Sequence, residues 1–573
     1  MHSKMKASDL FIKSLEAEGV EYIFGLPGEE NSDLMMSLSE STKIKFILVR
    51  HEQSAAFMAD IYGRLTQKVG VCLATLGPGA TNLTTGVANA NMDRSPLLAI
   101  TGQTSTNSLH KESHQNMDVV TMFKPITKWS WSIRNADSIP EIIRRAFKIA
   151  LEEKGGAIQL ELPQNIAKTG SEIKPIGKQK VLRSRPNKHL VDLAAKSIIE
   201  AKIPLLLVGN GCVRGNSWKS LRKFATEIKI GSLNTFMAKG VISDDSCDHL
   251  RTVGIKESDH ALLAMNQADL IIAVGYDLVE YSPRNWNGKL DKKIIHIDFT
   301  PAEVDTYYPP WIEIAADIEN TIDAILDAIK EISSIQIQDP EGQFKDDNQI
   351  NALDSKKHSI PEYFNKIRAE IIWRNIEKYK DDDYYPINPE RLVLEVRKSL
   401  EKNDIVISDV GAHKLWISKI YETYAPNTCI IPNGFCSMGF ALPAAIAAQL
   451  VKPDQKIVAM CGDGGFLMNV QELETAARLS LPIIIVIWVD KEYGMISFKQ
   501  MDEFGKKVFV KFNNPDFVKL ANSFGAIGYK VNSTQEFSEI LKQAKMSQDK
   551  PVIISIEVNY SRNQILLDDN YKE

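Results

Sequence analysis

The sequence predicts an α/β protein made of three doubly wound parallel-sheet domains, and three observations predict it. Short, continuously apolar runs such as PLLAITG, PLLLVGNG, DLIIAVG and PIIIVIWVD recur along the chain, the pattern of strands buried on both faces. Most of these runs end in Gly, Asp or Pro and are followed by helix-length segments, the alternation of a parallel sheet. The 573 residues suffice for three or four compact units, and two breaks in composition divide them into three.

The chain opens with MHSKMKASDLFIKSLEAEGV, an amphipathic helix pattern interrupted by charge that lacks the apolar centre of a secretory signal. VCLATLG, PLLAITG and AIQLELP then read as strands of a first domain, residues 1–170. The basic, proline-bearing stretch Thr169–Asn187 reads as a linker. PLLLVGNG, DLIIAVG and KIIHID belong to a second domain, 188–335, and the polar stretch 336–365 reads as a second linker. DIVISD, KIVAMCGDG and PIIIVIWVD follow in a third domain, 366–573. The longest apolar runs, Leu481–Val489 and Phe440–Ala448, suit buried strands or helices and fall far short of the roughly 18 residues of a membrane span.

Composition narrows the function classes. Hydrophobic residues are 44% and charged residues 25%, and 68 basic against 73 acidic residues leave a net charge of −5. That balance argues against a nucleic-acid partner, which calls for a basic excess. Cys72, Cys212, Cys247, Cys429, Cys436 and Cys461 are scattered with no CxxC pair, so neither a disulfide framework nor a thiolate metal site is expected, and a cytoplasmic location is.

The third domain carries the most chemistry. A strand at Ile457–Met460 runs into Gly462-Asp463-Gly464-Gly465, where glycines let the backbone approach an anion and the following helix start offers unpaired N–H groups. Leu467, Val470, Leu473, Ala476 and Ala477 then mark the buried face of one amphipathic helix, and a strand at Ile483–Val489 ends in Asp490. In a βαβ unit both strands point the same way, so Asp463 and Asp490 share one rim of the sheet. Either aspartate alone is an ordinary strand end. Together, beside a glycine loop, they can hold a hard cation such as Mg²⁺ bridging to a diphosphate.

Other patterns carry less. His110-Lys111-Glu112-Ser113-His114 spaces two histidines four apart, but it is neither HExxH nor HxxEH and has no third ligand. Gly209, Gly211 and Gly215 form G-x-G-x-x-x-G after a strand, one residue off the dinucleotide fingerprint, and a tight strand-to-helix turn explains them equally well. In the first domain Glu52 follows the run Phe46–Val49; alone it would be a surface charge.

The GDG motif, followed 27 residues after its Asp by a further acid, resembles the signature of the thiamine-diphosphate-dependent enzymes, and RHEQSAAFMA resembles that family's activating-glutamate segment. The resemblance covers nearly the whole chain and is nearest to acetolactate synthases of the catabolic kind, through ELETAARL, IWVDKEYGM and the Asp277–Tyr281 stretch. It implies pyrimidine-binding, central and diphosphate-binding domains in that order. It implies a metal set of Asp463, Asp490 and the Glu492 carbonyl, and cofactor contacts from Pro27, Gly28, Glu52, Gly411, Ala412, His413, Cys436, Met438, Gly462, Gly464, Gly465, Tyr493, Gly494 and Met495. Met438 would sit beneath the cofactor, and the Cys436 carbonyl would accept a hydrogen bond from the aminopyrimidine. Glu52 would activate the aminopyrimidine, and Gln115 and Lys128 match substrate-channel residues.

The implied reaction is decarboxylation of pyruvate and transfer of the two-carbon unit to a second 2-oxo acid, giving 2-acetolactate. A 2-oxo acid decarboxylase, a pyruvate oxidase and a carboligase with another acceptor stay open. The turn VGYDLVEYSPRNW is closer to flavin-free relatives, so the balance falls against bound FAD. Two positions depart from the family: Glu29 and Glu30 stand where small or basic residues are usual, and Lys499 stands where biosynthetic enzymes carry Trp. A solvated helix start explains the Glu pair equally well. The family's layout implies a homodimer or homotetramer with sites at the subunit interface.

Overall fold

The computed structural model describes residues 4–179, 182–254, 260–338, 362–561 and 563. Among the described residues, all but two short strands form three six-stranded sheets, every ladder within them parallel. The first holds β1 (Tyr22–Gly25), β2 (Lys45–Leu48), β3 (Gly70–Ala74), β4 (Leu97–Gln103), β5 (Trp129–Ser132) and β6 (Ala157–Pro163), in the order β2-β1-β3-β4-β6-β5. The second holds β7 (Pro204–Val208), β8 (Gly231–Asn234), β9 (His249–Thr252), β10 (Leu270–Val274), β11 (Lys293–Asp298) and β12 (Ile312–Ala315), in the order β9-β8-β7-β10-β11-β12. The third holds β13 (Ile405–Ser408), β14 (Cys429–Ile430), β15 (Ile457–Gly462), β16 (Ile484–Val489), β17 (Ile527–Lys530) and β18 (Val552–Glu557), in the order β14-β13-β15-β16-β18-β17. The first and third sheets thus share one topology, and the second has the order of dinucleotide-binding sheets.

Interior strands are apolar throughout because helices cover both faces: Leu205–Val208 and Ile271–Val274 are fully buried. Met5–Lys6 pairs antiparallel with Gly170–Ser171, tying the two ends of the first unit together. The run Phe440–Ala448 falls mostly in the helix Ala441–Val451, buried on every side from Ala441 to Gln449 because it lies between the first and third sheets. Its partner across that seam is the helix Glu52–Thr66, and Phe57 meets the Phe440 ring edge-on at 5.5 Å.

Two local expectations change. The single helix after Gly465 is two, Asp463–Met468 and Glu472–Arg478. Asn469 leaves the helix at φ −132°, and its buried side-chain amide donates to the Gly439 carbonyl at 2.7 Å, a tertiary bond at the break. The stretch 336–365 begins inside the helix Ile318–Gln338 and ends inside the helix Glu362–Asn375; 339–361 lie outside the described residues. No helix among the described residues is long and apolar enough to cross a membrane.

Candidate functional site

The carboxyl rim of the third sheet surrounds a cavity of about 400 Å³. Gly411, Ala412 and His413 line it after β13, Cys436 and Met438 before the Ala441 helix, Gly462–Gly465 after β15, and Asp490 with Glu492–Met495 after β16. The parallel register that pairs Gly462 with Trp488 puts both aspartates at this rim.

Asp463 is buried and fully engaged on one side. Its Oδ2 accepts from the Asp490 N–H at 3.2 Å, the Lys491 N–H at 2.8 Å and the Asn514 amide at 2.7 Å. Asp490 accepts the Glu492 N–H at 3.3 Å. Burial and then the neighbouring Asp463 charge push the Asp490 carboxyl well above the usual carboxylate range. Two acids held together against their own repulsion suit a divalent cation. Among the described residues no cluster of three or more His, Cys, Asp or Glu side chains could hold a metal. The rim thus offers a hard cation two side-chain carboxylates, Asp463 and Asp490, on adjacent strand ends.

The cavity's remaining wall is built around His413 and Asp409. A Cβ on Gly411 or Gly462 would meet the His413 ring at 2.8 and 3.3 Å, so these glycines make room for it. Burial pushes this imidazole down to about 4, keeping it neutral, and its Nε2 is buried with no partner among the described residues. An unpartnered ring nitrogen in this wall fits a polar group of a bound cofactor. Asp409, absent from the sequence reading although it ends a strand in DIVISD, accepts from Gly439 at 3.0 Å and Ala441 at 3.2 Å, joining two cofactor-facing loops. Asn514 was missed as well; nothing in the local sequence NNPD marks it as a partner of Asp463. Lys414 reaches Asn433 at 2.8 Å and the Cys436 sulfur at 3.0 Å, fixing the turn in which Cys436 is left-handed (φ 58°). Lys499 lies on the helix Gly494–Phe504 and also lines the cavity.

The first sheet's carboxyl rim gathers a second group. Glu52 opens the helix Glu52–Thr66; its Oε2 accepts the Asn82 amide at 2.9 Å, and its Oε1 lies 3.3 Å from where a Cβ on Gly79 would sit. Gln115 packs its main chain against Gly77, the other glycine of that turn. A Cβ on Gly28, beside Pro27, would overlap the Thr75 side chain, whose hydroxyl donates to Glu30 at 3.0 Å. The Glu pair therefore divides: Glu29 is exposed, while Glu30 is half-buried and hydrogen-bonded.

Lys128 is elsewhere. It precedes β5, at the amino rim, and its ammonium donates to the carbonyls of Glu152 and Lys154 at 2.6 and 2.7 Å. His110 and His114 are exposed in turns rather than on one helix. Gly209 and Gly211 are used in close packing, since a Cβ on either would collide with the backbone at Gly275 and Tyr276.

This pairing of an acid rim with a glycine-and-aspartate rim defines a cofactor enzyme of two topologically matched domains. The family models agree: residues 5–122 match the thiamine pyrophosphate enzyme N-terminal TPP binding domain, 191–325 the central domain and 409–556 the C-terminal TPP binding domain. The chain is 34% identical over 568 residues to the acetolactate synthase of Bacillus subtilis, covering 99% of this chain and 95% of that protein. It is 32% identical over 564 residues to the catabolic acetolactate synthase of Raoultella terrigena, covering 98% and 96%. It is 34% identical over 579 residues to a probable acetolactate synthase large subunit of Methanococcus aeolicus, covering 97% and 92%. The chain belongs to the thiamine-pyrophosphate-dependent enzymes of the acetolactate synthase type.

Proposed function

We propose that the protein decarboxylates pyruvate and transfers the two-carbon unit to a second 2-oxo acid, giving 2-acetolactate, with thiamine diphosphate and Mg²⁺ bound at the third sheet's rim. The observation that carries this reading is the pair of aspartates, Asp463 buried and Asp490 half-buried, on adjacent strand ends beside the Gly462–Gly465 loop. Asp463, Asp490 and the Glu492 carbonyl would hold the cation. Gly411–His413 and Gly462–Gly465 would hold the diphosphate, with Cys436 and Met438 against the aminopyrimidine. When bound, the cofactor supplies a thiazolium ring whose acidic carbon becomes the nucleophile and whose positive charge takes up the electrons released as CO₂ leaves. Glu52 would hydrogen-bond an aminopyrimidine nitrogen, its carboxylate oriented by Asn82.

Among the described residues, none of the first domain lines the cavity. Glu52 would therefore act on a cofactor held by a second copy, so the working unit is at least a homodimer. Gln115 shares the rim of Glu52 and stays in the proposed catalytic set; Lys128, on the opposite rim, does not act beside it. The reading requires no flavin, in keeping with the VGYDLVEYSPRNW turn.

The test is product identification with pyruvate alone and with 2-oxobutyrate, in the presence of thiamine diphosphate and Mg²⁺. Acetoin recovered after acid treatment of the product supports the reading. Free acetaldehyde as the sole product overturns it.

A further inference from the structure

Directly before Glu52, the backbone does something the proposed catalytic set does not explain. The N–H groups of Arg50 and His51 precede the helix and have no strand or helix partner. They donate instead to one carboxylate 422 and 421 residues away: Glu472 Oε1 accepts from Arg50 at 3.1 Å and from His51 at 3.1 Å. Glu472 is fully buried, and its Oε2 is held by the Thr475 hydroxyl at 2.6 Å. One turn earlier, Asn469 accepts from the Ser54 hydroxyl at 3.2 Å and donates to the Gly439 carbonyl at 2.7 Å; the Gly439 N–H in turn donates to Asp409.

We infer that Glu472 is a positioning residue for Glu52, an inference that rests on the catalytic role proposed for Glu52 above. A carboxylate accepting from two successive N–H groups fixes both peptide planes and hence the direction in which the next residue leaves the chain. Adhesion between the two sheets does not require it. The Phe57–Phe440 contact and the two alanine-rich helices already join them, and a buried carboxylate is a costly way to add more. Asn469 extends the same strut to Gly439 and Asp409, whose chain neighbours Met438 and Val410 line the cavity. The segment behind Glu52 is thereby tied to the cofactor loops of its own chain.

The test uses the full-length protein and Glu472→Gln, with Glu472→Asp as a second variant should the first not fold. In the cofactor-free protein, hydrogen–deuterium exchange over residues 49–54 should accelerate in Glu472→Gln. In the protein loaded with thiamine diphosphate and Mg²⁺ but without substrate, exchange of the thiazolium carbon's proton, quenched and read by NMR, should slow by about 10²-fold, the usual cost of a misplaced catalytic group. The dissociation constant for thiamine diphosphate and the KM for pyruvate should stay within about threefold while kcat falls in parallel with the proton exchange. Added to Glu52→Gln, the substitution should slow that exchange little further, because two residues acting as one unit are not additive. A lowered melting temperature with unchanged proton exchange overturns the inference and leaves Glu472 a staple between sheets. Full additivity with Glu52→Gln overturns it too. If Glu52→Gln alone leaves proton exchange unchanged, it is the catalytic reading of Glu52 that fails.

Discussion

The first and third sheets have the same strand order, yet the loops at matching places hold opposite chemistry. After the third strand of each comes a glycine turn: Gly77-Pro78-Gly79 in one, Gly462-Asp463-Gly464-Gly465 in the other. The third sheet places an acid inside its turn and a second at the next strand end, the first buried and the second half-buried. The first leaves its turn neutral and lays an acid from the end of β2, the strand before it in the chain, across it, where Gly79 gives Glu52 space. One topology thus carries two acids on adjacent strand ends at one rim and, at the other, Glu52 laid across a neutral glycine turn with Glu30 on the Thr75 hydroxyl nearby. What stands on the rim, not the fold, sets its chemistry.

The comparison can be broken most severely at Glu52. Glu52→Gln should lower CO₂ release from pyruvate by about 10²- to 10⁴-fold, while retention of thiamine diphosphate, measured by equilibrium dialysis, stays near wild type. Phe57→Ala strikes the seam rather than either rim. It should cost about 3–5 kcal/mol, seen as a lower midpoint in denaturant titration, and should weaken both sheets' functions together. Asp463→Asn should do the converse of Glu52→Gln: thiamine diphosphate affinity in Mg²⁺ should fall by at least about tenfold, and the Mg²⁺ dependence of retention should flatten. An Asp463→Asn protein that retained cofactor normally would erase the distinction between the two rims.

The smallest effect concerns pH. Burial holds His413 at about 4 in the folded third sheet, while the unfolded imidazole titrates at its ordinary value near 6.5. Between these values the unfolded chain binds the extra proton, so this contribution to stability is full above about pH 6.5 and is lost as pH falls toward 4. His413→Gln should flatten that part of a melting-temperature profile. No buried histidine occupies the described part of the first sheet's domain, so the slope belongs to the rest of the molecule.

The legible part of the fold was its interior. Runs such as DLIIAVG announce strands covered on both faces, and each became one. Edge strands such as Ile312–Ala315 and Ile527–Lys530 were not read, because a strand with one neighbour keeps exposed or polar positions and loses the continuous run. At the site, Asp463, Asp490 and Glu52 stood at strand ends in motifs of defined spacing and so were readable. Asp409, Asn469, Glu472 and Asn514 act through tertiary hydrogen bonds with partners up to 422 residues away, and no local pattern encodes such a partner. The break at Asn469 was invisible for the same reason, since its helix-compatible spacing gives no sign of the bond to Gly439.

The separation of the Glu52 rim from the aspartate-lined cavity has a genetic consequence. In the two-copy assembly proposed above, each chain would lend its glutamate to its neighbour and keep its own pair of aspartates. A chain spoiled only at residue 52 and another spoiled only at residue 463 are each inert in pure form. Unfolded together and refolded as a mixture, they should recover about a quarter of the normal sites, because each hybrid pair contains one intact combination and one doubly defective one.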